Sequence, residues 1–151
     1  MNASIKMLLI LFFLPYIYLF AQDENIQWKP LLENNNQKIW YDGSALNDLT
    51  TKKLDIWVLQ MNKKPIEFQE VPEKIYRSKI QYALDLNTDR YGILKVVYYG
   101  INNKQIYNFD YHIENYPDSI KYTYPISDIS SLKILREDII NEESKETSVK
   151  Q

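Results

Sequence analysis

Apolar and polar positions alternate with a period of two through the middle of this chain. In Thr51–Met61, Leu54, Ile56 and Val58 share one side, while Asp55, Trp57 and Leu59 share the other. That spacing predicts a strand, whose successive side chains point to opposite faces. Ile75–Leu86 repeats it, with Tyr76, Ile80, Tyr82, Leu84 and Leu86 set against Arg77, Lys79, Gln81 and Asp85. Tyr91–Ile101 predicts the next strand. Gln105–Ile113 predicts another, with Tyr107, Phe109, Tyr111 and Ile113 opposite Asn108, Asp110 and His112. The turn formers Asn87-Thr88-Asp89 and Asn102-Asn103 separate these runs. Strands joined by such short connections pair antiparallel, and an antiparallel sheet tolerates water on one face.

The flanking segments read less cleanly. Asp23–Leu32, with Trp28 and Pro30, predicts a short strand or extended arm. Glu33–Gln37 is a polar turn, and Lys38–Tyr41 a short strand ended by Asp42-Gly43. Ser44–Thr50 forms a loop with room for one helical turn. Asn62–Pro72 carries Pro65 and Pro72 and predicts a linker outside the sheet, because proline cannot donate to a ladder. Asn115–Ile126, with Pro117 and Pro125, has no period.

Near the C-terminus the period changes to that of a helix. Ile129, Leu132, Leu135, Arg136 and Ile139 form one stripe over Asp128–Asn141, with Ser127 placed to cap it. A stripe this apolar must dock on the sheet. Glu142–Gln151 is charged, lacks aromatic residues and is expected to be a disordered tail. The fold class is therefore α+β: a single curved antiparallel sheet of about six strands with one C-terminal helix packed on a face.

At the other end, Lys6 precedes the uncharged run Met7–Phe20, and Gln22-Asp23-Glu24-Asn25 follows Ala21. The run is too short to span a bilayer comfortably and has the layout of a secretory signal peptide. The expected organisation is a signal peptide over 1–21, one α+β domain over 22–141 and the tail over 142–151. The expected location is outside the cytoplasm: periplasm, cell surface or medium.

Composition narrows the chemistry. The 151 residues contain no Cys, which excludes disulfides, thiolate metal sites, a cysteine nucleophile and a lipid anchor on cysteine. A small exported domain without cross-links is held by packing alone, so Trp28, Trp40 and Trp57 are expected to be buried anchors of the fold. The formal net charge is −2 and provides no basic surface for nucleic acid or anionic membrane. Tyr occurs 13 times and Gly 3 times. Tyrosine pairs an apolar ring with a polar tip and suits half-buried sheet faces and interfaces.

Candidate sites are few. Asp110 and His112 lie two apart on one strand face, the arrangement of a base oriented by a carboxylate, but no nucleophile or second acid accompanies them. Asp110, His112 and Glu114 would spread over about 13 Å along an extended strand, too far for one ion. No catalytic residue, metal or cofactor is expected. Arg77, Lys79 and Lys95 form a basic strip facing Asp85 and Asp110, suited to an anionic ligand or glycan, or simply to cross-strand ion pairs. Tyr98, Tyr99, Tyr107 and Tyr111, with Tyr116, Tyr122 and Tyr124 beyond them, crowd the later part of the chain. The expected binding residues are Tyr98, Tyr99, Tyr107, Tyr111, Arg77 and Lys79.

Several short motifs occur in order. They are Trp28; Tyr41-Asp42 followed by Ser44; Ile56-Trp57-Val58; Tyr76-Arg77-Ser78-Lys79; Val96-Val97-Tyr98-Tyr99; and Tyr124-Pro125-Ile126-Ser127 before Ser131, Leu132, Leu135 and Ile139. In this order the chain resembles the surface-adhesin protein E family. The resemblance implies one antiparallel sheet with a C-terminal helix against it, cell-surface location and attachment to extracellular-matrix proteins. That family ties sheet to helix through cysteines; here Ile139 and Ile140 stand where an apolar clasp substitutes. The expectation is an exported bacterial envelope protein that acts as a non-catalytic binding module for a protein partner, either another protein or a second copy of itself. The alternatives are a periplasmic module holding a small apolar ligand under the helix, an enzyme built on Asp110 and His112, and a purely structural or dimerising domain.

Overall fold

The computed structural model describes residues 26–47 and 49–149, with side chains described to residue 142. The leader Met1–Ala21 lies outside the described residues. Six strands follow one another across one antiparallel sheet in chain order: β1 Trp28–Glu33, β2 Gln37–Asp42, β3 Lys53–Phe68, β4 Val71–Asp85, β5 Arg90–Tyr99 and β6 Gln105–Asp110. A short helix α1, Asp118–Lys121, and a two-residue strand β7, Tyr124–Pro125, follow; β7 pairs with the start of β5. Helix α2, Ser130–Val149, closes the chain. This is the α+β architecture that the residue pattern predicts.

The longest ladder differs from expectation at one end. Asn62–Pro72 is not a linker: β3 runs through it to Phe68, and β4 starts at Val71. The ladder steps from Met61↔Arg77 to Ile66↔Ile75 and on to Phe68↔Val71. Pro65 sits inside that irregularity and Pro72 at the hairpin tip, the two kinds of place where a missing N–H costs a sheet little. At the other turns Asp89, Asn102 and Asn103 take φ of 54°, 57° and 61°, the left-handed region that short polar side chains tolerate.

Register decides which face is core. Leu54↔Leu84, Ile56↔Tyr82 and Val58↔Ile80 line up on one side, joined by Tyr41 from β2 and by Tyr91 and Ile93 from β5. Helix α2 lies on this side, and Leu132, Leu135 and Ile139 are wholly buried against it together with Ile126. Each such side chain contributes roughly 1.5–3 kcal/mol by leaving water. The helix starts later than Ser127 suggests. Ser127 belongs to a 3-10 turn, and the first helical hydrogen bond, Lys133 N–H to Ile129 C=O, is 3.0 Å. It also ends later, at Val149 rather than Asn141, because Glu142–Glu146 contains only helix-compatible residues and no breaker.

Polar ties join helix to sheet across long stretches of sequence. The Tyr41 hydroxyl donates to Asp138 Oδ2 at 2.8 Å, and Lys29 Nζ meets Glu142 at 3.1 Å. Arg136 pairs with Asp89.

The opposite face carries a smaller cluster. β5 bulges at Leu94, between Gln81↔Lys95 and Tyr82↔Ile93. Leu94 packs with Ala83, Tyr122 and Ile113 beneath the segment that leads through α1. Arg90 fastens this segment by donating to the carbonyls of Tyr122, at 2.9 Å, and Thr123. The backbone passes so close to Gly92 that a Cβ there would stand 1.8 Å from the Lys121 carbonyl oxygen.

Two stability predictions follow from these contacts. Gly92→Ala forces the α1 segment off the sheet and lowers the unfolding free energy from denaturant melts by about 1–3 kcal/mol; an unchanged value means that the close approach is not formed. Tyr41→Phe leaves the Asp138 carboxylate without its donor and costs about 1.5–3 kcal/mol in the same measurement.

Candidate functional site

The six expected binding residues do not form one surface. Tyr98 pairs with Ser78 and Tyr107, on the face that carries α2, whereas Tyr99 pairs with Arg77 on the other face. Successive residues of a strand diverge in this way, so Tyr98-Tyr99 and Arg77-Ser78 split between two surfaces.

On the helix-bearing side, beyond the buried core, the rings form a continuous strip. Phe68 stacks on Tyr98 at 5.9 Å, Tyr98 meets Phe109 edge-on at 6.2 Å, and Phe109 stacks on Tyr107 at 5.0 Å. Phe68, Tyr107 and Phe109 are 45%, 37% and 38% exposed, and Tyr111 is 52% exposed. Burial, with Tyr111 adding to it, raises the Tyr98 hydroxyl above the usual phenol range. The strip lies at β6, the last strand in the order. Sequence reasoning chose Tyr98, Tyr107 and Tyr111 but missed Phe109 and Phe68. Phe109 had a visible signal, since it stands two positions from Tyr107. Phe68 lay in the segment read as a linker, and only the extended β3–β4 hairpin brings it to Tyr98.

On the opposite face the Arg77 guanidinium lies 4.0 Å over the Tyr99 ring, with its buried Nε unpaired. Lys79 Nζ stands 4.4 Å over Trp57 and 5.9 Å from Trp28. The three tryptophans are therefore not buried anchors. Trp28 is 37% exposed and Trp40 and Trp57 are half-buried, because the register that turns Tyr41, Ile56 and Val58 inward turns Trp40 and Trp57 outward. The basic strip is also broken up. Lys95 pairs with Asp110 at 3.6 Å, and Asp85 is buried at the turn after β4, accepting from the Asn87 and Thr88 N–H groups.

His112 does meet Asp110, Nδ1 to Oδ1 at 3.2 Å, but the imidazole is 81% exposed on an open surface. The strand ends at Asp110, and His112 takes φ of 52°. That bend overturns the distance argument against Asp110, His112 and Glu114 as a set, whose ligand atoms lie within 4.8 Å of one another. All three residues are exposed, and Lys95 lies against the other Asp110 oxygen. The seam under α2 is closed by Leu132, Leu135 and Ile139, each 0% exposed.

Comparison with family models, with curated proteins and with solved structures gives no match.

The tyrosines give the fold a pH signature. Burial, first of all, raises the hydroxyls of Tyr82, Tyr91, Tyr98 and Tyr122; in Tyr41 burial acts together with the hydrogen bond to Asp138. Each keeps its proton to higher pH in the folded chain than in the unfolded one. The folded state therefore holds more protons as the pH passes 10, the ordinary phenol value, and stability falls there while being fully present below. Denaturant melts at rising pH will show this decline, and phenolate absorbance will show a late-titrating group that appears only with unfolding. A native-state titration in which every tyrosine ionises normally contradicts the burial assigned here.

Proposed function

We propose that the chain is an exported, non-catalytic module that attaches to another protein through the strip Phe68, Tyr98, Phe109, Tyr107 and Tyr111. The observation that carries this reading is the run of ring contacts from β3 to β6, left more than a third exposed at Phe68, Tyr107 and Phe109. A water-facing aromatic surface is costly to keep unless it is covered in use. Aromatic side chains are also the ones that dominate protein interfaces. The strip borders an edge strand free of proline and exposed along most of its length, so a partner can add main-chain hydrogen bonds to ring contacts.

Export rests on the leader-like segment Met1–Ala21, with Lys6 ahead of the uncharged run Met7–Phe20. The likeness to the surface-adhesin protein E family, with its sheet and terminal helix, supports a partner of the extracellular-matrix or envelope type. The closed seam under α2 argues against a small apolar ligand there. The open setting of His112 argues against general base catalysis, which works best where water is excluded.

The test is retention by immobilised matrix proteins and by envelope extract. Tyr107→Ala and Phe109→Ala should each weaken retention roughly tenfold or more, with the circular dichroism spectrum and denaturation midpoint held. Tyr98→Ala and Tyr111→Ala should weaken it too. Retention unchanged in all four variants sinks the proposal.

A further inference from the structure

A polar pocket of about 400 Å³ opens on the helix-free face, where the entry to β1, the turn after β2 and the middle of β3 meet. Gln27, Asp42, Ser44, Asn47, Asp55 and Trp57 line it. Its floor is built rather than accidental. Asp42 is 7% exposed, and its Oδ1 accepts from the Gln27 N–H at 3.1 Å, the Ser44 N–H at 2.9 Å and the Ser44 hydroxyl at 2.6 Å. The Gly43 N–H returns a bond to the Gln27 carbonyl at 2.8 Å. Asp55 and Trp57, two apart on β3, project side by side as one wall.

The surrounding charges select the ligand. Lys79 stands over Trp57, and Lys121 Nζ lies 3.5 Å from Asp55, so cations just outside the lining already partner two of its groups and offset their pull on a further cation. An anion meets the carboxylates of Asp42 and Asp55. What remains is an uncharged molecule with an apolar face and many hydroxyls. We propose that this pocket binds a sugar residue of a neutral glycan. Its C–H face rests on the part of Trp57 that lines the pocket, away from Lys79, and its hydroxyls donate to Asp55 and Asp42. The Asn47 and Gln27 amides both donate and accept, as a ring of mixed hydroxyl contacts requires. Such a site, one aromatic wall with a few fixed polar groups, follows the usual plan of a small-molecule pocket. Trp28, whose ring lies 5.9 Å from the same Lys79 Nζ, supplies a second ring for a further sugar unit.

This inference is independent of the protein-binding strip, which occupies the other face. It is tested on the full mature chain with maltose, cellobiose and N,N′-diacetylchitobiose, followed by tryptophan fluorescence and calorimetry, and with an array of neutral glycans. The expected result is saturable binding of at least one probe at millimolar concentration. Asn47→Ala, at an exposed position, should weaken it roughly tenfold while the denaturation midpoint holds, and Asp55→Ala should weaken it as much while lowering the midpoint through the lost Lys121 ion pair. Trp57→Phe should remove most of the fluorescence change. No binding to any disaccharide or array glycan overturns the proposal. Binding that survives both Asp55→Ala and Asn47→Ala overturns it too, as does displacement of the sugar by choline or sulfate. Those failures leave retention through Tyr107 and Phe109 as it was.

Discussion

The seam between α2 and the sheet is the contact on which the rest of the molecule depends. No disulfide joins the two layers, since the chain has no cysteine. Leu132, Leu135 and Ile139 do that work, pressed on Tyr41, Ile56, Leu84 and their neighbours. Hydrophobic burial is non-directional, so it does not by itself fix the angle of the helix. The bonds Tyr41 to Asp138, Lys29 to Glu142 and Arg136 to Asp89 supply that direction at three separated points. Packing provides the energy, and polar pairs provide the register.

With one face committed to the helix, the exposed rings and polar groups are confined to what the helix leaves uncovered. That is the ring strip beyond its reach and the whole reverse face, apart from the patch under α1. The two surfaces have different characters. The strip is nearly all rings with little charge among them. The reverse face mixes tryptophan with lysine, arginine and aspartate, and its rings already have cationic company in Lys79 and Arg77.

The architecture was legible in the sequence because alternation along β3, β4 and β5 is strong and the stripe from Ile129 to Ile139 is clean. The failures have physical causes. Pro65 and Pro72 argued for a linker, yet a hairpin accommodates both at a bulge and a tip, which the one-dimensional pattern does not display. The tryptophans were expected inside on grounds of size, whereas parity along β2 and β3 sent Trp40 and Trp57 outward and left the core to Ile, Leu, Val and Tyr. The expected binding residues include direct sequence neighbours such as Tyr98 and Tyr99. Period-two geometry separates such neighbours, and only Tyr98, Tyr107 and Tyr111 go to the same side. The bend at His112 was invisible because a single left-handed residue has no periodic signature.

The order of the strands has a temporal consequence. β1 to β6 pair strictly with their sequence neighbours, so the sheet can assemble while the chain is still emerging. Its cover, however, comes after all of them in chain order. Until residues 130–142 arrive, Ile56, Leu84 and the other core side chains face water on a sheet that is otherwise complete. A chain cut short or stalled before Leu132 is therefore a naked apolar surface with open edges, the species that cellular holdases recognise and that self-associates when they are absent.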